Sequence, residues 1–272
     1  MNAPVLHDPV LCDLDGVVWL KHEPLPGAVR AIADLRARGH RVLFVTNNSS
    51  KTLGEQVSIL ESLGIPARGD VCTSAQAAAL LLRSGDRVLV AGGPGVREAV
   101  EAVGAVVAAT TDDDVDDESF ARSVDGVTAV IVGYHSSFDY RGMTRAAVTV
   151  RAGARLIGTN EDPTYPTPRG PIPGGGAILA AIAVAAGIDP VVAGKPHAPM
   201  GELVKRTLAV ENLSHAWMVG DRNTTDGGFA RTIGARYAMI RSGTEEPDPH
   251  RPPDVVCASL ANFAEFMRTT AR

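Results

Sequence analysis

Apolar residues come in short unbroken runs at both ends of this chain, and each run gives way to a stretch with helical spacing. "VLC" (10–12) leads to a predicted helix from about Pro26 to Arg38, opened by a proline where a first turn tolerates one and closed by Gly39. "RVLFVTNN" follows as a buried strand, and Leu53, Val57, Leu60 and Leu63 then recur at helical spacing up to Gly64. "DVCT" predicts a short strand, with Ser74 capping a helix over "AQAAALLLR". Towards the C-terminus "AWMVGD" and "ARYAMIR" predict strands separated by a helix, and "DVVCAS" precedes a helix started by Ser259. Continuous apolar strands alternating with helices predict a parallel sheet covered on both faces.

The middle of the chain repeats the alternation. "DRVLVAGGPGVREAVEAVG" starts a new strand–helix unit, "TAVIVGYH" is a strand and "MTRAAVTVRAG" a helix. "RLIGTNEDPTYPTPRGPIPGGGA" is a strand running into a loop rich in Pro and Gly. The pattern predicts an α/β fold: a Rossmann-like, doubly wound parallel-sheet core over residues 1–83 and 189–272, with a second α/β domain inserted at 84–188. There is no low-complexity linker and no tandem repeat.

Composition narrows the function. The chain has 272 residues, 45% hydrophobic and 21% charged, an ordinary globular balance. A net charge of −5 gives no electrostatic case for nucleic acid or an anionic membrane. No apolar run approaches the roughly 20 residues of a membrane span, and "MNAPVLHDP" lacks the basic region and apolar core of a signal peptide. Cys12, Cys72 and Cys257 lie far apart without a CxxC, as expected of small core residues in a reduced, cytoplasmic protein. The histidines form no HxH or HExxH, so zinc is unsupported.

The chemistry gathers at the predicted strand ends. The first strand ends in Asp13 and Asp15, the second in Thr46, Asn47, Asn48 and Ser49; "VVAGKP" delivers Lys195 and "MVGD" delivers Asp221, with Asp226 following. Open parallel sheets bind ligands outside the carboxyl ends of their strands. Carboxylates clustered there repel one another unless something positive sits among them. Oxygen ligands of this kind suit Mg²⁺, and Thr46, Asn47 and Lys195 would then grip an anion such as phosphate, aided by the start of the next helix. Residues i and i+2 of an extended chain face the same way, so Asp13 and Asp15 can flank one phosphate. Asp226 reads equally as a helix cap or as a member of this group.

"DLDGV", "VTNNSS", "GKP" and "GDRNTTD", in that order, resemble the four motifs of the haloacid dehalogenase superfamily. More narrowly they resemble subfamily IIA, the branch of p-nitrophenyl phosphatases, NagD-like nucleotidases and glycerol-phosphate, phosphoglycolate and pyridoxal phosphatases. "TNEDPTYPT" and "PGGGA" fit the same branch, whose inserted domain is a C2-type cap. The resemblance implies a Mg²⁺-dependent phosphatase of small phosphorylated metabolites. Asp13 is then the nucleophile, forming an aspartyl phosphate, and Asp15 the general acid/base. Metal ligands are Asp13, the backbone carbonyl of Asp15, and Asp221, while Asp226 holds the metal's waters or Lys195. Specificity falls to the cap, and a homodimer through the cap is expected. "GDRNTTDGGFA" departs from the branch in placing Gly227 where an aliphatic residue is usual, and two glycines weaken a helix start.

The loops "GYHSSFDY" and "GTNEDPTYPTPRGP" nominate Tyr134, His135, Asn160, Asp162 and Tyr165, with Asn48 and Ser49 from the core, as residues that touch the substrate. Against this, Asn160 and Asp162 could hold their own loop and Tyr165 could pack on the prolines. His135 stands where many relatives have Asp, so no relative's substrate carries across. Two other patterns read as structural. The glycines at 92, 93 and 95 do not make GxGxxG and read as a turn. "DDDVDDE" (112–118) lacks the Gly and Glu of a calcium loop and reads as solvated. The rival function is a phospho-accepting or non-catalytic phosphate-binding signalling module. A receiver domain, however, carries its acceptor Asp on a later strand and has no inserted cap.

Overall fold

The fold is that of a computed structural model, which describes residues 8–20, 23–165, 170–243 and 245–270. The N-terminal stretch read against a signal peptide lies largely outside the described residues, as do 166–169 of the proline-rich loop. Along the chain come β1 (Val10–Cys12), the hairpin β2 (Trp19–Leu20) and β3 (Glu23–Pro24), α1 (Ala28–Ala37), β4 (Val42–Thr46), α2 (Leu53–Ser62) and β5 (Val71–Thr73). Then follow α3 (Ser74–Ala79), β6 (Arg87–Ala91), α4 (Pro94–Ala102), β7 (Val106–Thr110), α5 (Asp117–Ser123), β8 (Ala129–Val132) and α6 (Tyr140–Arg151). Next are β9 (Arg155–Gly158), the hairpin β10 (Thr164–Tyr165) and β11 (Ile172–Pro173), α7 (Gly175–Ala186), β12 (Val191–Val192) and α8 (Ala198–Leu208). The chain closes with β13 (Trp217–Gly220), a π-helical turn (Asn223–Gly227), α9 (Gly228–Ile233), β14 (Arg236–Ile240), β15 (Val255–Cys257) and α10 (Leu260–Thr270).

Two compact units form. The first comprises residues 1–46, 56–72 and 195–272, and the second 47–55 and 73–194. The inserted domain expected at 84–188 lies within the second unit, which also takes in α3, β12 and the segment after β4.

The first unit is a six-stranded sheet in the order β15-β14-β13-β1-β4-β5. β1, β4 and β13 are buried along their whole length, which is why they read as unbroken apolar runs. Cys12 pairs in parallel with both Phe44 and Val219, so the residues after β1, β4 and β13 emerge at one edge. The chain passes from β1 to β4 and β5 on one side and later to β13, β14 and β15 on the other. The switch point therefore lies between β1 and β13. α1 packs on α10, and Trp217 meets Phe263 and Phe266 edge-on at 5.6 Å.

The second unit is a five-stranded sheet in the order β12-β9-β8-β6-β7, again with parallel pairing. Leu89, Val130, Leu156, Leu179 and Ile182 sit in its core, with α6 packed on α7. Gly158 lets Leu179 reach the sheet, since a Cβ there would overlap the leucine methyls.

Two local expectations change. Ser74 is the first residue of α3 and Thr73 is its cap: Thr73 and Gln76 form a capping box, with Gln76 N–H donating to Thr73 Oγ1 (3.2 Å) and Thr73 N–H to Gln76 Oε1 (2.9 Å). α1 starts two residues later than expected, because Gly27 takes a left-handed conformation (φ 78°) ahead of it. The acidic run 112–118 is exposed over most of its length, as expected, and is also ordered. Asp116 caps α5 and the buried Arg145 guanidinium donates to the carbonyls of Thr111 (3.1 Å), Asp113 (2.8 Å) and Val115 (2.6 Å).

Arg145→Met keeps most of the aliphatic bulk and strands those carbonyls. It should lower unfolding free energy by about 2–4 kcal/mol in urea denaturation, and hydrogen exchange should speed up first across residues 111–116. Unchanged protection there would mean the loop stands without the guanidinium.

Candidate active site

The switch point of the first unit holds the acidic group. Asp13 leaves β1 with its N–H still on the sheet, donating to Val219 O (2.9 Å). Lys195, buried to 2% exposure, donates to Asp13 Oδ1 (2.7 Å) and to Asp226 Oδ1 (2.7 Å). The other oxygen of Asp226 accepts from the backbone N–H groups of Asp221 (3.1 Å) and Arg222 (3.2 Å). Asp226 is therefore the second carboxylate of the lysine and not a helix N-cap: it lies inside the turn and accepts from N–H groups that precede it, tying the turn back to the end of β13.

The local backbone is shaped for this. Residues 223–227 wind as a π-helical turn, with Gly227 N–H donating to Arg222 O (3.1 Å), five residues back. Gly220 has no room for a Cβ, which would overlap the Asp226 carboxylate, and Gly16 (φ 84°) lies equally tight against Asp221. Gly227 also has a cause: a Cβ there would stand 2.9 Å from the Tyr237 ring. The aromatic ring of β14 occupies the place beside this turn.

Asp221 is buried and accepts from the Ser242 hydroxyl (2.6 Å). Asp15 accepts from the Trp19 indole N–H (3.1 Å). One oxygen from each of Asp13, Asp221 and Asp226 falls within 4.8 Å of the others. Burial pushes the Asp13 carboxyl well above its usual range, Asp226 and Asp221 add to the rise, and Lys195 opposes it. Burial works against the Lys195 ammonium, but Asp13 and Asp226 outweigh it and hold the lysine protonated. Three carboxylates thus share one cation. An all-oxygen cluster still short of positive charge suits a hard divalent ion such as Mg²⁺.

Thr46, buried, ends β4. Asn47, Asn48 and Ser49 belong to the second unit, where Asn160 and Thr159 link Asn47 to Ser49 and Asn48 holds Ser50. The Asn47 carbonyl accepts from Ser74 Oγ (2.7 Å) and Asn160 Nδ2 (2.8 Å), and Asn47 Nδ2 donates to Asp162 (3.1 Å). Asn48 accepts from the amide and hydroxyl of Ser50, and Thr159 donates to the buried Ser49 hydroxyl (3.0 Å). Asn160 also accepts from Asp162 N–H (3.1 Å), the loop-holding contact anticipated as the alternative reading. Tyr134 stacks on Tyr165 with centroids 5.4 Å apart, and His135 is buried edge-on to Phe138. Ser242 and Trp19 went unnoticed in the sequence, and Ser74 was read only as a helix cap. Ser242 alone left a signal, since it follows β14 at the same sheet edge as Asp221.

Gly227→Ala should cost about 1–3 kcal/mol of stability through overpacking against Tyr237. Adding Tyr237→Leu should recover most of that loss, a non-additivity readable in urea midpoints. Simple addition of the two effects would show that the ring does not set the glycine.

Comparisons with known proteins identify the family. Residues 10–106 match the family of haloacid dehalogenase-like hydrolases, and residues 192–263 match a HAD-hydrolase-like family. The chain is 39% identical over 276 residues to D-glycerol 3-phosphate phosphatase of Mycobacterium tuberculosis, covering 97% of this chain and 73% of that protein. Its structure is similar to that of a glycerol phosphate phosphatase of M. tuberculosis in complex with magnesium, with TM-score 0.81, 35% identity and coverage of 94% and 76%. It is also similar to p-nitrophenyl phosphatase from Archaeoglobus fulgidus, with TM-score 0.83, 25% identity and coverage of 96% and 99%. The chain belongs to the haloacid dehalogenase superfamily of hydrolases, in the subfamily IIA phosphatase branch.

Proposed function

We propose that this protein hydrolyses small phosphomonoesters through an aspartyl phosphate on Asp13. The observation that carries the reading is the buried Lys195 ammonium, held 2.7 Å from both Asp13 and Asp226 beside Asp221 at the switch point. Such esters hydrolyse so slowly unaided that acceleration can reach about 10²¹-fold. The main obstacle is repulsion between an anionic nucleophile and an anionic phosphate.

Asp13, Asp221 and the Asp15 backbone carbonyl would hold Mg²⁺, which when bound neutralises phosphate charge and polarises the phosphoryl group. Lys195 orients Asp13 and adds a second positive charge, and Asp226 fixes the lysine. Thr46 and Asn47 bind the phosphate oxygens. A carboxylate oxygen of Asp13 attacks phosphorus as the bond to the leaving oxygen breaks, and Asp15 gives that oxygen its proton. Asp15 then takes a proton from water as the water attacks phosphorus and releases Asp13. The Trp19 contact to one Asp15 oxygen orients the carboxyl for both transfers.

The second unit acts as a cap that selects the leaving group through Tyr134, His135 and Tyr165, with Asn48, Ser49, Asn160 and Asp162 shaping the same loops. Glycerol phosphates head the substrate panel, on the strength of the named relatives. Three free, buried cysteines suit a reducing cytoplasm, and no described helix is long and apolar enough to cross a membrane. Pairing through the cap as a homodimer completes the reading, checkable by light scattering.

A panel of small phosphomonoesters with Mg²⁺ should reveal turnover that a chelator abolishes and fresh Mg²⁺ restores. Asp221→Asn should weaken the metal requirement's midpoint while leaving the urea midpoint near wild type. Full activity in excess chelator removes the metal from the reading.

Asp13→Asn should abolish turnover and any acid-stable phosphate on the chain. Asp15→Asn should slow alkyl phosphates by about 10²- to 10⁴-fold. Cleavage of p-nitrophenyl phosphate, whose leaving group needs little protonation, should suffer less in burst kinetics. Near-normal rates for Asp13→Asn would place the nucleophile elsewhere.

A further inference from the structure

The second unit is itself a small doubly wound sheet. From β6 the chain goes to β7 on one side and then to β8 on the other, so a second switch point lies between the carboxyl ends of β6 and β8. Ligands of open parallel sheets sit at such points. A cleft of about 500 Å³ opens there, walled by Gly92 and Gly93 after β6, Tyr134 and His135 after β8, and the side chains of Lys51 and Arg97.

The cleft is electrostatically unfinished. Among the described residues neither Lys51 nor Arg97 makes a salt bridge, although Glu55 lies near enough for the Lys51 charge to act on it. The two carboxylates in the wall are engaged: Glu55 accepts from the Thr52 amide (2.8 Å) and hydroxyl (3.0 Å), and Asp112 accepts from the Ser137 hydroxyl (3.0 Å). His135 is only 8% exposed, its Nδ1 lies 3.2 Å from Ser137 Oγ, and its Nε2 has no partner. An orphaned buried polar group is destabilising, and a ligand that bonds to it offsets that cost. Burial holds the ring below its usual range, against the pull of Asp112 and Asp139, so it is neutral at pH 7; because the Ser137 hydroxyl donates to Asp112, the ring proton sits on Nδ1 facing Ser137 and Nε2 is left as an acceptor.

The glycines themselves do not make a phosphate loop. A Cβ at Gly93 would stand 2.7 Å from Ser50 O, one at Gly95 would overlap Lys51 O, and Gly95 N–H already donates to Ser50 O (3.3 Å). The amides of the first turn of α4 thus serve the chain, and recognition falls to side chains.

We propose that this cleft binds a small organic anion, with a phosphate or carboxylate on Lys51 and Arg97 and the body of the molecule against His135 and Tyr134. Two sources share that chemistry: a second charged group on the substrate, or a separate effector.

The test uses the full chain with inorganic phosphate as probe. The His135 Cε1–H resonance, identified by its loss in His135→Gln, should move saturably as phosphate is added. Combining Lys51→Gln with Arg97→Gln should weaken the midpoint by about tenfold or more, as for lost charge-assisted contacts. Hydrolysis of p-nitrophenyl phosphate should be unaffected. A resonance that stays still, or one with the same midpoint in the double variant, overturns the site whether or not the chain is a phosphatase. Steady-state kinetics then separate the sources. A KM raised in the double variant only for a phosphorylated hydroxy acid assigns the cleft to the substrate, and an unchanged KM assigns it to an effector.

Discussion

A buried ammonium between two carboxylates is the contact on which the rest of the first unit is arranged. Lys195 cannot be left without its partners, since an unpaired charge at that depth would cost several kcal/mol. Asp13 arrives from β1 by simple continuation of the strand. Asp226 does not: it follows β13 by several residues and must be turned back under the sheet end. The π-helical turn does this, Gly220 leaves space for the returning carboxylate, and Tyr237 fills the volume that Gly227 leaves open. These features, scattered over 18 residues of sequence, serve one ion pair.

The sheet supplies the precision that side chains alone could not. Pairing of Cys12 with both Phe44 and Val219 sets Asp13, Asp221 and Thr46 at one edge, and a one-residue slip would turn each to the other face. Parallel pairing does the same in the second unit, where β6 and β8 end beside each other at a second switch point. One construction rule thus yields an edge rich in acid in one unit and a cleft bearing two cations without salt bridges in the other.

This explains what the sequence could reveal. Asp13, Lys195 and Asp221 were legible because each is a charge at the end of an apolar run, where packing gives it no reason to be. Asp226 was ambiguous because a π turn leaves no periodic mark, and only its bonds to Lys195, Asp221 and Arg222 show that it does two jobs. β12 was read from "VVAGKP" as a strand of the core, but it pairs with β9 in the second unit, a choice two apolar residues cannot reveal; α7, apolar nearly all round, escaped for want of a pattern. Asn160 and Asp162 were found, but their attachment to Asn47 was not, since a polar loop residue looks the same whether it holds a ligand or a neighbouring strand end.

The segment 47–55 shows how far chain order and packing can diverge. It continues β4 without a break, yet its side chains and carbonyls are held by Ser74, Thr159, Asn160 and Asp162, and Gly93 and Gly95 are bare so that Ser50 and Lys51 can lie against them. The proposed phosphate contacts at Thr46 and Asn47 are adjacent in sequence but fixed by different cores, one by the β4 strand and the other by the second unit's network. Glycine, which in this position suggests a nucleotide loop, here makes room for the protein's own backbone. The same close approach carries Lys51 to the rim of the cleft at β6 and β8. The segment that carries Asn47 therefore also contributes one of the two cations there, four residues further along the same chain.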